Sequence, residues 1–384
     1  MKKILVYFYL HDLTDESTNS IVRLTASLMK GLDRKIKFYY FFEKEDRLQL
    51  PNGSPHRLNI TYRMRLIRKL HNSFAKSRIC WHEVKGKAAK QTAAGLSDIH
   101  FDAILLMELE KVQTVKKLFP KAKIIYWIHS VSALCKPHYL ENISSVDHFV
   151  SPSKTTYHFL LQRIPPKPMT AVFNFMPNWC ESIFFKRDPQ YISFLKLQFC
   201  IRENEKVFIF CGGTQKLKGA FLLEQLIEKL AAWVTGEYVF LICGSGCQSN
   251  IRSVGNIRVM NLGTVDPQGL IDLYSLADYG LHPSLAYDHC PLTLIEMINC
   301  SVFPIASDIG GIKEILGDDF PGLIEEPNNI QSWLQKIRAI LKMNESEKVR
   351  ILGNLQNRVR SVYNRSNALA VMTDIMGVAQ IPSQ

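Results

Sequence analysis

Residues 282–314 read HPSLAYDHCPLTLIEMINCSVFPIASDIGGIKE, and this stretch decides the predicted fold. The apolar residues up to position 282 predict a strand over Tyr279–His282, followed by a turn of small and polar residues. A helix through Leu292–Ile298 comes next, and Pro291 is well suited to its first turn because proline already has the φ angle of a helix. A second strand is predicted over Phe303–Ala306. Strand, helix and strand in this order indicate a parallel β-α-β unit.

Two carboxylates stand on either side of the start of this helix. Asp288 precedes the helix, where it can face a ligand, and Glu296 lies in the second turn, where it can accept two hydrogen bonds from a ribose diol. The first N–H groups of a helix have no intrahelical partner, and with the helix dipole they favour phosphate oxygens. Taken alone, the pattern also fits a helix cap and a surface charge. The backbone predicted to hold the anion is that of Cys290, Pro291, Leu292 and Thr293.

Strands and helices alternate along the whole chain of 384 residues. The first half begins with a predicted strand over Lys3–Leu10, and the proline-rich sequence near residues 163–179 separates it from a second half in which the alternation restarts. Two doubly wound halves of this kind bind ligands at the carboxyl ends of their strands. The predicted parts are a first domain over residues 1–175, a second domain over 176–360 and a C-terminal helix over 361–384.

Two predicted strands of the second half run into glycine-rich turns. The first turn, GGTQKLKG at residues 212–219, directly precedes a predicted helix. Glycines let the backbone approach a ligand, the helix start favours an anion, and Lys218 adds a full charge, so a diphosphate is the expected guest. An ordinary turn with a surface lysine explains the same residues. The second turn, GSG at 244–246, lacks the third glycine of a dinucleotide fingerprint, which argues against NAD. The glycines expected to line the site are Gly212, Gly213 and Gly244.

Together, residues 205–325 resemble the family 4 retaining glycosyltransferases of the GT-B fold, also called glycosyl transferases group 1. The resemblance rests on the first glycine turn, on the pair Asp288 and Glu296, and on the loop SDIGGIKE at residues 307–314. It implies an α/β protein with two Rossmann-like doubly wound domains that face a central cleft. In this pattern residues 1–175 form the N-terminal acceptor-binding domain, residues 176–360 form the nucleotide-sugar-binding domain, and the C-terminal helix over 361–384 packs back toward the N-terminal domain. It also implies that Lys218 binds the diphosphate of a nucleotide-sugar donor and that Glu296 binds its ribose.

Some positions depart from the family pattern. Asp288 stands where the family has a glutamate that contacts the donor sugar, and Gly213 stands where it has an arginine that helps to hold the diphosphate. Either Lys216 takes over from that arginine, or Lys218 and the helix starts hold the diphosphate alone. The family's glycine-rich first loop is replaced by residues 9–13. His129 matches a histidine that often lies near the reacting sugar, so that the implied catalytic residues are Asp288, Lys218 and His129.

Composition restricts the remaining possibilities. The nine cysteines are irregularly spaced, which indicates reduced thiols of an intracellular protein, and no second Cys/His pair has metal-site spacing, so neither a metal nor a cofactor is expected. No segment approaches the roughly 18 apolar residues of a membrane span. The net charge is +12, and basic residues concentrate at 57–90, where a predicted amphipathic helix through 64–74 fits either an anionic membrane surface or a core-facing helix with a basic outer face.

The function that the resemblance implies is retaining transfer of a sugar, from a UDP- or GDP-linked donor to a hydroxyl of a glycan or glycolipid. We expect the product to be a bacterial lipopolysaccharide or surface polysaccharide, and the location to be the cytoplasm or the inner face of its membrane. Nucleic acid is not an expected partner. Two alternatives are a catalytically inactive GT-B binding or assembly module, which the departures at Asp288 and Gly213 favour, and a nucleotide-sugar 2-epimerase of the same fold.

Overall fold

The computed structural model describes residues 1–8, 19–44, 46–58, 60, 81–129, 140–162 and 171–378. These residues form two compact units. The first unit contains Met1–Pro152 and Thr156–Met176 and takes in the C-terminal segment from Ala368. The second contains Ser153–Thr155 and Pro177–Asn367. The chain therefore leaves the first unit after residue 176 and returns to it at residue 368.

The described part of the first unit is built on a seven-stranded sheet. Its strands are β1 (Lys2–Tyr7), β2 (Ile36–Phe42), β3 (Ser54–Arg57), β4 (Ala103–Leu106), β5 (Lys123–Trp127), β6 (His148–Ser151) and β7 (Val172–Phe175). They pair in the order β3-β2-β1-β4-β5-β6-β7, and every pairing is parallel. The central strands β1 and β4 are buried over runs of four apolar residues, as is typical of a parallel sheet covered on both faces.

Helices of the first unit cover this sheet. They are α1 (Ser20–Leu32), α2 (Trp81–Ala94), α3 (Val112–Leu118), α4 (Leu140–Ser144) and α5 (Lys154–Leu161). Helix α1 begins after Asn19, whose side chain accepts the backbone N–H of Ile21 at 3.0 Å and so caps the helix start. Leu24 and Leu28, one turn apart on α1, are buried, and this spacing turns one face of the helix toward the core.

The second unit has a seven-stranded sheet of its own. Its strands are β8 (Lys206–Phe210), β9 (Tyr238–Ile242), β10 (Asn250–Val254), β11 (Ile257–Asn261), β12 (Tyr279–His282), β13 (Phe303–Ser307) and β14 (Leu323–Ile324). They pair in the order β10-β11-β9-β8-β12-β13-β14, and β10 alone runs antiparallel to its neighbour. Because β8, β9, β12 and β13 are parallel, the loops that follow them lie at one edge of the sheet.

The helices of the second unit follow these strands. They are α6 (Pro189–Gln198), α7 (Ala220–Ala231), α8 (Pro267–Leu276), α9 (Leu292–Asn299), α10 (Ile312–Leu316), α11 (Ile330–Lys342), α12 (Glu345–Val362) and α13 (Arg365–Ile375), which continues into the first unit. A single 3₁₀ turn, Lys216–Lys218, precedes α7. In α9 six of eight residues are buried, so this helix lies inside the unit and not on its surface.

The predicted α/β class with two Rossmann-like sheets is confirmed. One detail of the sequence analysis was wrong: Pro291 lies one residue before α9, because its ψ angle of 118° is extended and not helical. The predicted parallel β-α-β unit is present, since β12 and β13 pair in parallel. The polar strand β10 adds an antiparallel hairpin with β11 at the sheet edge.

Several sequence features lie outside the described residues: the predicted basic helix through 64–74, the segment 9–13 and the prolines at 165–168. None of the helices that the structure describes combines the length and the hydrophobicity needed to cross a bilayer. Within the same residues, no group of three or more His, Cys, Asp and Glu side chains could hold a metal ion.

Candidate functional site

The candidate site lies in the second unit, where the loops after β8 and β12 meet. Gly219 has a φ angle of +86°, and a Cβ atom at this position would lie 2.0 Å from the carbonyl oxygen of Pro283. Only glycine allows this approach. The amide of Leu285 donates to the carbonyl of Leu217 at 2.9 Å. The two loops are thereby fixed against each other, and Lys218 lies beside the turn after β12.

A cluster of polar side chains forms around Asp288. Lys218 Nζ lies 2.8 Å from Asp288 Oδ2, and His282 Nε2 lies 3.4 Å from the same oxygen. Thr293 Oγ1 lies 3.4 Å from His282 Nδ1 on the other side of the imidazole ring. The side chain of Asp288 is 14% exposed, whereas that of Lys218 is 41% exposed. The carboxylate is therefore enclosed, and the lysine is accessible to a ligand from solvent.

The charge state of this cluster follows from its contacts. Burial alone would raise the pKa of Asp288, but the neighbouring His282 imidazole and the positive charge of Lys218 hold the pKa of this carboxyl well below its usual range. Asp288 is therefore ionised at neutral pH. Burial lowers the pKa of the neighbouring His289 to about 4, against the opposing effect of Asp288. His289 is therefore neutral at the same pH and adds no charge to the site.

Two helices begin at this cluster without a side-chain cap. Helix α7 starts after Gly219 and α9 after Pro291, and in this fully described part of the chain no side chain accepts a hydrogen bond from either helix start. No side chain therefore uses the first N–H groups of either helix, although the Ala220 amide makes a long hydrogen bond of 3.4 Å to the Gln215 carbonyl. Each helix has the positive end of its dipole at its start. An anion placed next to Lys218 and Asp288 would meet both kinds of positive group.

Glu296 occupies the second turn of α9, as predicted, but it is only 2% exposed. Its Oε2 lies 3.5 Å from the hydroxyl oxygen of Tyr274 on α8. Burial raises the pKa of Tyr274 well above its usual value, so the phenol stays protonated and can donate to the carboxylate. A ribose would have to reach a carboxylate that is nearly closed off from solvent. The role of Glu296 in ribose binding stays a prediction.

The glycine-rich turns after β8 and β9 pack against each other. Gly213 has a φ angle of +58°, and a Cβ atom there would lie 2.2 Å from the carbonyl oxygen of Ser245. The Gly213 amide donates to the carbonyl of Cys243 at 2.9 Å, and the Gly244 amide donates to that of Gly263 at 2.8 Å. With this backbone there is no room for the arginine of the family pattern at position 213. Close packing of the two turns explains this glycine.

The loop SDIGGIKE supports the Asp288 turn from the other side. Cβ atoms on Gly310 and Gly311 would lie 2.2 Å and 1.9 Å from the carbonyl oxygens of Asp288 and His289. The Gly311 amide donates to the Asp288 carbonyl at 2.8 Å. The two glycines therefore let one loop lie directly on the backbone of the other. The motif that carried the resemblance acts here as a support for Asp288.

The remaining predicted site residues are distributed as follows. Gly212 and Cys290 are buried, and the Cys290 carbonyl accepts a hydrogen bond from Asn178 Nδ2 at 2.7 Å. Leu292 is the first residue of α9. His129 belongs to the first unit, where its ring lies 4.6 Å from that of Trp127, and its catalytic role stays a prediction.

Sequence reasoning missed two residues of the site, His282 and Tyr274. His282 is the last residue of β12, at the sheet edge where the ligand was expected, and this position was a usable signal. Tyr274 lies on the buried face of α8 and looks like an ordinary core residue in the sequence.

Comparison with known proteins connects this region to one family. Residues 194–358 match the family model described as "Glycosyl transferases group 1". N-acetyl-alpha-D-glucosaminyl L-malate synthase of Bacillus anthracis is 27% identical over 206 residues, which make up 52% of this chain and 50% of that protein. The match thus spans about half the length of this relative.

Solved structures resemble the chain over nearly its whole length. Sucrose-phosphate synthase from Thermosynechococcus elongatus matches with a TM-score of 0.72 at 16% identity, covering 98% of each chain. Anabaena HepE, solved in complex with UDP and glucose, matches with a TM-score of 0.70 at 13% identity, covering 99% of this chain and 100% of HepE. At such low identity these matches concern the fold, and they confirm the predicted GT-B architecture.

Proposed function

Because residues 194–358 match the group 1 glycosyltransferases and the chain has the GT-B fold, we propose that it belongs to this family and is a retaining glycosyltransferase. It moves a sugar from a nucleotide-sugar donor to a hydroxyl of a glycan or glycolipid. The observation that carries this proposal is the joint position of Lys218, Asp288 and two helix starts without side-chain caps. Positive groups that converge on one enclosed carboxylate suit a ligand with both phosphates and hydroxyls.

The chemistry is a substitution at the anomeric carbon of the donor. The bond from this carbon to the departing phosphate oxygen breaks, and a bond to the acceptor oxygen forms on the same face. The departing phosphate takes the acceptor's proton, so the step needs no protein base. Lys218 and the helix N–H groups are placed where negative charge grows on the diphosphate, and such fixed donors stabilise a transition state strongly.

Asp288 connects the part of the proposed donor site that binds the diphosphate with the part that binds the sugar. Its Oδ2 binds Lys218 in the absence of donor, and a diphosphate competes for the same ammonium group. Once Lys218 moves to the phosphates, the Asp288 carboxylate is available to hydroxyls of the donor sugar. Glu296 then binds the ribose from the second turn of α9.

UDP is the first nucleotide to test, because HepE binds UDP and UDP-glucose in its solved complexes. GDP-linked donors are the second choice. We further propose a product in bacterial lipopolysaccharide or surface polysaccharide, made at the inner face of the cytoplasmic membrane. The net charge of +12 supports attraction to an anionic surface.

A second candidate function is an inactive GT-B binding or assembly module. The observation that favours it is the Lys218–Asp288 ion pair, in which the two groups proposed to act on the donor neutralise each other. Such a module binds nucleotide-sugar or glycan without turnover. Sugar transfer or donor hydrolysis by the purified protein therefore excludes it.

A thermal-shift screen with UDP, GDP, CMP, ADP and their sugars is the first experiment. A ligand that binds only the native state raises its stability, so one nucleotide should raise the melting temperature. Glu296→Gln, which keeps the shape of the buried side chain, should weaken binding of that nucleotide about tenfold. Glu347→Gln, on the exposed start of α12, is the matched control and should leave binding unchanged. Equal affinity of both variants contradicts the ribose assignment.

A further inference from the structure

His282 is a second side chain that holds Asp288, and the mechanism proposed above makes no use of it. It is the last residue of β12 and is buried. Its Nε2 lies 3.4 Å from Asp288 Oδ2, the same oxygen that accepts from Lys218 Nζ at 2.8 Å. One oxygen of the carboxylate is therefore approached from two sides: it accepts a hydrogen bond from Lys218, and the buried His282 Nε2 lies within ion-pair distance without making a hydrogen bond of its own.

The other carboxylate oxygen has no such contact. Within the part of the chain that the structure describes, Oδ1 of Asp288 accepts no hydrogen bond, whereas Oδ2 is contacted by both nitrogen donors. A carboxylate oxygen has room for two hydrogen bonds and binds hydroxyl groups well. The geometry leaves Oδ1 as the oxygen that can accept a hydroxyl from a ligand.

We propose that His282 is a positioning residue that keeps the Asp288 carboxylate in place once Lys218 has moved to the donor's diphosphate, so that Oδ1 reads a hydroxyl of the donor sugar. This inference rests on the proposed function. Without a second anchor, loss of the lysine contact would leave a short side chain free to rotate about its last bond. His282 remains as that anchor because it lies on the sheet and not on the glycine turn that carries Lys218.

Thr293 completes the arrangement. The Thr293 hydroxyl lies 3.4 Å from His282 Nδ1, on the side of the ring away from Asp288, and fixes which way the ring faces. Thr293 is the second residue of α9, so the chain of contacts runs from this helix through β12 to the Asp288 turn. The orientation of the ring, and through it that of the carboxylate, is set by two elements of the core.

The arrangement assigns different parts of the donor to different residues. Lys218 and the helix starts act on the diphosphate, while His282 acts only through Asp288 on the sugar. Substitution of His282 should therefore leave binding of UDP alone unchanged and reduce the additional affinity that the sugar provides. If His282 had only a structural role, its substitution would weaken the binding of UDP and of the UDP-sugar alike.

The test uses His282→Leu and His282→Gln in the full chain, with UDP and UDP-glucose, or GDP and GDP-glucose if only guanine nucleotides bind. Glutamine places an amide N–H near the position of Nε2, whereas leucine has no donor. Isothermal titration should show that His282→Leu binds the nucleotide with a Kd within about twofold of that of the unmodified protein. The gain from the sugar, which is the ratio of the Kd for the nucleotide to the Kd for the nucleotide-sugar, should fall about tenfold. This is the size expected for one lost hydrogen bond to a charged group. His282→Gln should restore most of that gain.

We expect kcat to differ between the two variants in the same way as the affinity. In His282→Leu, kcat for transfer or donor hydrolysis should fall about tenfold, with full or near-full recovery in His282→Gln. An unchanged sugar-dependent gain and kcat in a folded His282→Leu protein would overturn the positioning role while leaving the proposed function intact. An equal loss of the sugar-dependent gain and of kcat in His282→Leu and His282→Gln would also overturn the positioning role. If the unmodified protein binds neither nucleotide nor its sugar, the proposed function fails, and this inference fails with it.

Discussion

The helices of the second unit begin in two different ways. Helices α6, α8, α11 and α12 start after Asp188, Asp266, Asn329 and Asn344, and each of these side chains accepts a backbone N–H of its own helix at 2.8–3.0 Å. Helices α7, α9 and α10 start after Gly219, Pro291 and Gly311 and, in this described part of the chain, have no such cap. Of these three, α10 is a single short turn of five residues, and its Gly311 amide donates to the Asp288 carbonyl. The two longer helices, α7 and α9, begin beside Lys218 and Asp288.

The difference indicates that the capped helix starts contribute to stability, whereas the starts of α7 and α9 are arranged to bind a ligand. A good N-cap stabilises a protein by about 1 kcal/mol, so a missing cap is a cost unless the free N–H groups have another use. At α7 the cap position is taken by Gly219, which lets two loops approach each other. At α9 it is taken by Pro291, which ends an extended segment. A ligand anion is the partner that would satisfy both helix starts.

The largest effect should come from Lys218, the full charge beside the starts of α7 and α9. Lys218→Ala should lower kcat/KM for sugar transfer or donor hydrolysis about 100-fold, because a fixed positive group at the departing diphosphate is lost. Lys216→Ala, two residues away on the same turn, should change kcat/KM less than threefold. A larger effect at Lys216 would show that this residue, and not Lys218, replaces the missing arginine.

His289, just before α9, should make the stability of the second unit depend on pH. Its pKa is lowered to about 4 in the folded protein, against 6.5 for an ordinary histidine. The stabilisation is fully present above pH 6.5 and is lost as the pH falls toward 4, because the unfolded chain binds the proton more tightly. The loss should reach about 2–3 kcal/mol. Urea unfolding between pH 4 and 7 should show this slope, and His289→Gln should reduce it; an identical slope in both proteins contradicts the assignment.

The glycine turns provide a matched pair of substitutions. Gly213→Ala should destabilise the protein by about 1–3 kcal/mol, because position 213 has a φ angle of +58° and no space beside Ser245. Gly353→Ala, within α12, meets no atom within 4 Å and should stabilise the protein by about 0.5–1 kcal/mol. Thermal unfolding of the two variants should move in opposite directions. A stable Gly213→Ala protein would show that the two turns do not need their close contact.

The smallest effect concerns a capped helix. Asn344→Ala removes the acceptor for the Ser346 amide, a contact of 2.9 Å, and should cost about 1 kcal/mol of unfolding free energy. Nucleotide affinity should stay the same, because α12 begins away from the Lys218 cluster. A loss of affinity without a loss of stability would remove the distinction between the two kinds of helix start.

Local signals in the sequence predicted the elements around the site. Strand β12 begins and ends at the predicted residues, Tyr279 and His282, and α9 starts at the predicted Leu292 and ends one residue after the predicted Ile298. The two-residue strand β14 and the polar hairpin strand β10 were missed, because both depend on pairing with distant strands. The contact of Lys218 with Asp288 could be anticipated only through the family resemblance. It spans 70 residues of sequence and depends on the approach of Gly219 to Pro283.

The most direct test of the account is to titrate the protein with UDP, or GDP if only guanine nucleotides bind, and follow its backbone amides by NMR. We predict chemical-shift changes at the starts of α7 and α9, above all at Ala220, Phe221, Leu292 and Thr293, and none at the capped start of α12 around Ser346. Changes at α12, or no changes at the starts of α7 and α9 while the nucleotide is bound, would contradict the claim that these two helix starts form the donor site.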